Sequence, residues 1–197
     1  RSNDNRWVDM DPNGDVPDKR RDLEMAAILG TDNALLFGGQ VGSGYDDETW
    51  IYDLSDNVWT LKNPNNKPGE RICFAMAPIY GTKKTLLFGG FLDTWPNFND
   101  ETWVYDFTNE DWINMNPTGT KPVGRRFHAL GSIYGTDKVL LFGGETSWGH
   151  YINDTWIYDL GDNIWIQVSP ENVPCERFYH KMSSIYGTDK VLLVGGS

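Results

Sequence analysis

Positive charge is scarce in this chain. Its 197 residues hold 17 lysines and arginines against 28 aspartates and glutamates, a formal net charge of −11, and binding to nucleic acid or to an anionic membrane surface needs a positive footprint that this balance does not supply. Cysteine is scarcer still: Cys73 and Cys175 stand at different distances from the glycines that follow them, Gly81 and Gly187. They form neither a disulfide framework nor a metal-ligand spacing and read as free thiols. No run approaches the roughly 18 apolar residues of a membrane span, and no signal-peptide core is present, so membrane insertion is not expected. Histidine is limited to His128, His150 and His180, and no nucleophile motif, HExxH or phosphate loop occurs. No segment of useful length carries a 3.6-residue apolar period, which excludes an architecture built on amphipathic helices. What is present is apolar and aromatic, at 39% and 14% of residues, too rich for a disordered segment.

Much of that content recurs at a fixed interval. Pro17, Pro68, Pro122 and Pro174 are each followed three residues later by Arg20, Arg71, Arg125 and Arg177, and successive arginines are 51, 54 and 52 residues apart. The doublets Gly38-Gly39, Gly89-Gly90, Gly143-Gly144 and Gly195-Gly196 keep the same rhythm. Between doublet and next arginine come Thr49 to Asp53, Thr102 to Asp106 and Thr155 to Asp159, each reading Thr-Trp-Ile/Val-Tyr-Asp, and then a second tryptophan, Trp59, Trp112 or Trp165, of which Trp7 is a further copy. A unit of this size that cannot bury its apolar face alone must stack on its neighbours.

Each repeat reads as four short strands. The first comprises Phe74 to Tyr80 and its copies Met25 to Leu29, His128 to Tyr134 and His180 to Tyr186, each closed by a Gly-Thr turn. The second is an apolar run, Leu35-Leu36-Phe37 and its copies, ended by the glycine doublet, as befits a strand buried on both faces. The third carries the Trp-x-Tyr alternation and the fourth the second tryptophan. The chain is thus all-β.

A glycine doublet, then a tyrosine, then a tryptophan seven residues further on, in units of about fifty residues, resembles the kelch repeat, and the likeness covers essentially the whole chain. It implies a β-propeller of four-stranded antiparallel blades around a central channel, with the first strand innermost. The expected repeats are 17–67, 68–121, 122–173 and 174–197, with 6–10 as the last strand of a preceding blade, all in one domain spanning 1–197. That is three complete repeats with partial ones at the ends. It fits an excerpt of a larger ring, a small ring that pairs its own ends, or two copies that associate to complete one; an excerpt is the expectation.

Comparison of the copies separates scaffold from variation. The loops from first to second strand are uniform, whereas those from second to third differ: Gln40 to Glu48 with Tyr45, Phe91 to Glu101 with Trp95 and Phe98, and Glu145 to Asp154 with Trp148, His150 and Tyr151. Strand alternation puts them on the same end of the propeller as the proline and arginine linkers. Aromatic residues on loops of a rigid scaffold are common binding anchors, which makes these six candidate binding residues. Arg20, Arg71, Arg125 and Arg177 start the inner strands on that face. They are candidates for holding a carboxylate or phosphate, or else pair with the acidic residues of the Asp47-Glu48, Asp100-Glu101 and Asn153-Asp154 steps. His128 and His180 occupy a position filled by Leu23 and Phe74 in the other repeats, which reads as packing.

The function expected is that of a non-catalytic module recognising a protein, or a glycan, through the aromatic face, with no catalytic residue, metal or cofactor. The alternative that the resemblance implies is part of a kelch-type enzyme acting on sugars. Copper-dependent oxidases of this architecture use Tyr, Cys and His ligands at the channel, and Cys73, Tyr179, His128 and His180 are residues of those types. The tripeptide Asn153-Asp154-Thr155 matches a glycosylation acceptor and tilts the expected compartment toward secretion.

Overall fold

The short apolar runs become strands because the turns between them close on their own side chains. In the turn after the first strand, Thr31 donates its hydroxyl to the Ile28 carbonyl at 2.7 Å and accepts from the Asn33 amide at 3.1 Å. Thr82, Thr136 and Thr188 repeat both bonds. A computed structural model describes residues 6–94 and 97–197. Among the described residues there is no helix long and apolar enough to cross a membrane.

The first sheet contains β1 (Arg20–Arg21), β2 (Glu24–Ala27), β3 (Asn33–Val41), β4 (Gly44–Asp53) and β5 (Val58–Lys62), with β1 and β2 both paired to β3. The second is β6 (Ala75–Ile79), β7 (Lys84–Phe88), β8 (Thr102–Asp106) and β9 (Asp111–Asn114). The third is β10 (Ala129–Ser132), β11 (Lys138–Ser147), β12 (His150–Asp159) and β13 (Ile164–Val168), and a fourth begins with β14 (Lys181–Ser184) and β15 (Val191–Val194). Every sheet is an antiparallel meander, and β2, β6, β10 and β14 line a central cavity of about 240 Å³. This is the expected propeller, three full blades and two strands of the next. Residues 6–10 form no strand and Trp7 is fully exposed. They nonetheless keep the register of a last strand: the Met10 carbonyl accepts from Asn57 as that of Met115 accepts from Asn163.

The apolar runs of the second and third blades are buried on both faces because each of these blades lies between two others. Phe37 and Leu35 of the first blade pack with Phe74, Leu87 and Trp112 of the second, whose Leu86, Phe88 and Val104 face Leu141, Trp156 and Trp165 of the third. In β15 the outer positions Leu192 and Val194 are exposed, since only one face has a neighbour. Polar joints fix the same seams. Trp112 donates its indole Nε1 to Thr49 Oγ1 of the preceding blade at 3.0 Å, and Trp165 does so to Thr102. The amides of Gly39, Gly90 and Gly144 donate to the carbonyls of Arg71, Arg125 and Arg177 in the following blade at 2.9–3.1 Å. This explains the doublet: its first member has φ near +60 to +75° and would place a Cβ 2.7–3.0 Å from that arginine carbonyl at Gly38, Gly89 and Gly143, so only glycine fits.

One expectation about the loops changes. In the first and third blades the second-to-third connections are continuations of the strands, closed at Gly42-Ser43 and Trp148-Gly149, and the glycine doublet is a bulge within the ladder instead of its end. In the second blade, among the described residues, the ladder ends at Phe88 and Thr102, and beyond it Phe91 pairs with Phe98 as an isolated bridge.

Candidate functional site

The face bearing these hairpins is organised by the repeated arginines. Arg20 reaches Glu48 at 2.7 Å, Arg71 reaches Glu101 at 2.7 Å, and Arg125 grips Asp154 with two bonds of 2.6 and 2.9 Å. Each also donates Nη1 to the first carbonyl of its own glycine doublet, and the same carboxylates accept from Trp50, Trp103 and Trp156. The three side chains are no more than 3% exposed, so their guanidinium groups are committed inside the blade. Burial lowers the Arg71 pKa, with Glu101 opposing. Arg177 bonds the Gly195 carbonyl and Cys175 at the surface, and among the described residues it has no carboxylate partner.

Two residues beyond each arginine, the backbone turns left-handed at Asp22, Cys73, Phe127 and Tyr179, with φ of 56°, 58°, 57° and 59°. Four non-glycine residues in that region are strained unless the surroundings enforce it, and a chain of backbone bonds does. The Cys73 amide donates to Asp22, that of Phe127 to Cys73 and that of Tyr179 to Phe127, at 3.1, 2.9 and 3.1 Å. These four residues rim a mouth of about 270 Å³ together with Glu24, His128, His180 and Lys181. Burial pushes the Cys73 thiol up to about 12, with Asp22 adding to it. It also raises Glu24 despite Lys181, whose ammonium lies 2.5 Å away across the channel.

The aromatic residues meet around one cation. Arg126, tied to buried Glu145 at 2.7 Å, lies 4.3 Å from the Trp148 ring centroid, 4.7 Å from those of Phe91 and Phe127 and 5.4 Å from that of Phe98. Phe91 meets Phe98 and Trp148 edge-on at 5.4 Å each. Tyr45 packs onto Ile72, Cys73 and Phe91. On the other side Phe127 contacts Tyr179 at 4.0 Å, Phe178 lies beside Tyr179, and Tyr151 stacks flat on Phe178 at 4.3 Å. Tyr45, Phe98, Trp148 and Tyr151 therefore belong to one belt that runs across the blades. Trp148, 71% exposed, caps it at a hairpin tip. His150 is exposed beside that tip and is not in the belt. Trp95 lies outside the described residues.

His128 and His180 are buried in the seams, edge-on to Phe88 and Phe142 at 5.6 and 5.5 Å, as Phe74 is to Phe37. Burial holds His128 well below its usual pKa and His180 at about 4, and His180 Nε2 lies 3.1 Å from the Phe142 carbonyl. Cys73, Tyr179, His128 and His180 all line the mouth, but the two imidazoles are buried against Phe88 and Phe142. Among the described residues no three His, Cys, Asp or Glu side chains are grouped to hold a metal ion. Sequence reasoning did not single out Arg126, Phe127, Phe178 or Asp22. The available signal was that the two positions after each repeated arginine read Arg-Asp, Ile-Cys, Arg-Phe and Phe-Tyr, different in every copy.

The chain matches the family model described as the KLHDC2/KLHL20/DRC7 Kelch-repeats domain over residues 1–196. It is 29% identical over 206 aligned residues to Kelch domain-containing protein 3 of Bos taurus, covering 99% of this chain and 52% of that protein. It is 28% identical to Kelch domain-containing protein 2 of the same species, covering 78% of this chain and 37% of that protein. Mei4-dependent protein 6 of Schizosaccharomyces pombe is 23% identical, covering 84% and 26% respectively. The chain thus spans about half or less of the curated relatives it matches. With the glycine joints, the buried arginines and the tryptophan seams all in repeat register, this chain belongs to the kelch-repeat family.

Proposed function

We propose that this chain is a non-catalytic recognition module that docks a protein partner on the aromatic face, with Trp148 as the anchor and Tyr151, Phe98 and Tyr45 around it. The observation that carries the reading is the placement of Trp148, a large exposed aromatic side chain on a hairpin tip, held against Phe91, Phe98 and Arg126. Such a residue is pre-organised and loses little conformational freedom on binding, which is the character of interface hot spots. Arg20, Arg71 and Arg125 support the face from within, their charges already paired.

The test is partner capture with the wild-type protein and with Trp148→Ala. Truncating a hot-spot tryptophan costs about 2 kcal/mol or more, so a partner bound by the wild type is expected to be lost from the variant while thermal unfolding is unchanged. Full retention of binding by a stably folded Trp148→Ala protein overturns the reading.

A further inference from the structure

The channel mouth combines a fixed backbone with variable side chains. At Asp22, Cys73, Phe127 and Tyr179 the main chain is the same in every blade, because left-handed φ and the blade-to-blade backbone bonds set it, while the side chain is acidic, thiol, phenyl or phenol. The scaffold needs only the backbone there, which leaves the side chains free to set what the mouth accepts. At about 270 Å³ the mouth has room for a long side chain.

The charges at the rim are mostly spent. Lys181 is paired with Glu24, and Arg126, behind Phe127, is paired with Glu145. Arg21 bonds Gln40 at 3.0 Å and comes no closer than 3.9 Å to Asp22. Among the described residues that is the only cation within ion-pairing range of the Asp22 carboxylate. At the other end of the same backbone row Tyr179, which also lines the mouth and is 59% exposed, presents its ring beside Phe127. A carboxylate and an open aromatic face lining one small concavity is the chemistry that receives a cation, through an ion pair with the one and the ring quadrupole of the other.

We infer that the channel mouth binds an arginine or lysine side chain of the protein partner, with Asp22 as counter-ion and Tyr179 as the stacking face. This rests on the docking reading above, and makes the mouth a specificity pocket next to the Trp148 anchor.

The probe is N-acetyl-arginine amide, titrated into the ¹⁵N-labelled protein and followed by NMR, with N-acetyl-citrulline amide as the neutral isostere. The arginine probe is expected to shift the amides of Asp22, Cys73, Phe127 and Tyr179, and the citrulline probe to bind about tenfold more weakly, the difference between a charged and a neutral hydrogen-bonded contact. Asp22→Asn, a substitution that left-handed backbone tolerates, is expected to weaken arginine binding about tenfold, and Tyr179→Leu several-fold, with unfolding midpoints unchanged. Absence of shifts at the mouth, equal binding of the two probes, or an unchanged affinity in Asp22→Asn overturns the inference. None of these outcomes touches the Trp148 capture test, so failure of the pocket and failure of the docking face are read separately.

Discussion

Replacing Glu110 by asparagine is expected to stabilise the protein. In the first and third blades the third-strand tyrosine donates its hydroxyl to an asparagine five residues on, Tyr52 to Asn57 at 2.7 Å and Tyr158 to Asn163 at 2.8 Å. In the second blade Glu110 stands at that position, and the Tyr105 hydroxyl is buried and has no hydrogen-bond partner among the described residues. Glu110 instead points outward to Lys62 at 2.7 Å, and it adopts φ of 52°, as Asn57 and Asn163 do at 53° and 52°. Supplying an acceptor to the orphan hydroxyl recovers about 1–3 kcal/mol. Asparagine is also easier than glutamate in the left-handed region, a gain below about 1 kcal/mol. The lost surface ion pair costs about 0.2–1 kcal/mol. The net expectation is about 1–2 kcal/mol of added stability, read by urea denaturation with an unchanged m-value. Tyr105→Phe closes the cycle: it is expected to be neutral or slightly stabilising in the wild type and to cost about 1 kcal/mol in the Glu110→Asn background. An unchanged midpoint in Glu110→Asn, or no coupling between the two substitutions, would refute the assignment of that orphan group.

Acid should reveal the seam histidines. His180 stays neutral in the folded protein down to about pH 4 while the unfolded chain takes up its proton below about 6.5. Stability is therefore full above that pH and falls as pH drops toward 4, by on the order of 3 kcal/mol. His180→Phe, which copies Phe74, is expected to flatten that limb. Glu48 and Glu101, which burial raises less than their arginine and tryptophan partners lower, also lose stability on acidification, but equally in both proteins. An unaltered pH profile of the unfolding midpoint in the variant sinks this account. Arg71→Met strips the Gly89 carbonyl and Asn99 of a buried donor and should cost about 3–5 kcal/mol, whereas Arg177→Met, whose bonds lie at the surface, should cost less than about 1 kcal/mol. Equal losses in denaturant midpoint would show that burial of the pair is not what matters.

The fold was legible because the seams use the same atoms in each copy. Any residue required by the joint, such as Gly89, Trp112, Thr102 or Arg125, had to recur, and recurrence was visible. The hairpins at 33–53 and 138–159 were not, because Gly38-Gly39 and Gly143-Gly144 look like strand ends when they are bulges, and only the pairing of Gln40 with Tyr45 or Glu145 with Tyr151 shows the ladder resuming. The aromatic positions Tyr45, Phe98, Trp148 and Tyr151 could be picked out by their irregularity. Their gathering around Arg126 and Phe178 could not, since it depends on contacts between blades some fifty residues apart in sequence. The arginines were visible as repeated residues, and their commitment to Glu48, Glu101 and Asp154 became plain only with the blade twist in place.

The indole-to-threonine bond has a consequence for how such a chain grows. Trp112 meets Thr49, and Trp165 meets Thr102, across a separation of 63 residues in both cases, so each blade offers its successor the surface that its predecessor offered it. A duplicated or deleted unit would still present an indole to a threonine at both new junctions. Propeller genes built this way can change length by whole blades in one genetic event, while point mutations at the rim alter what the assembled face prefers.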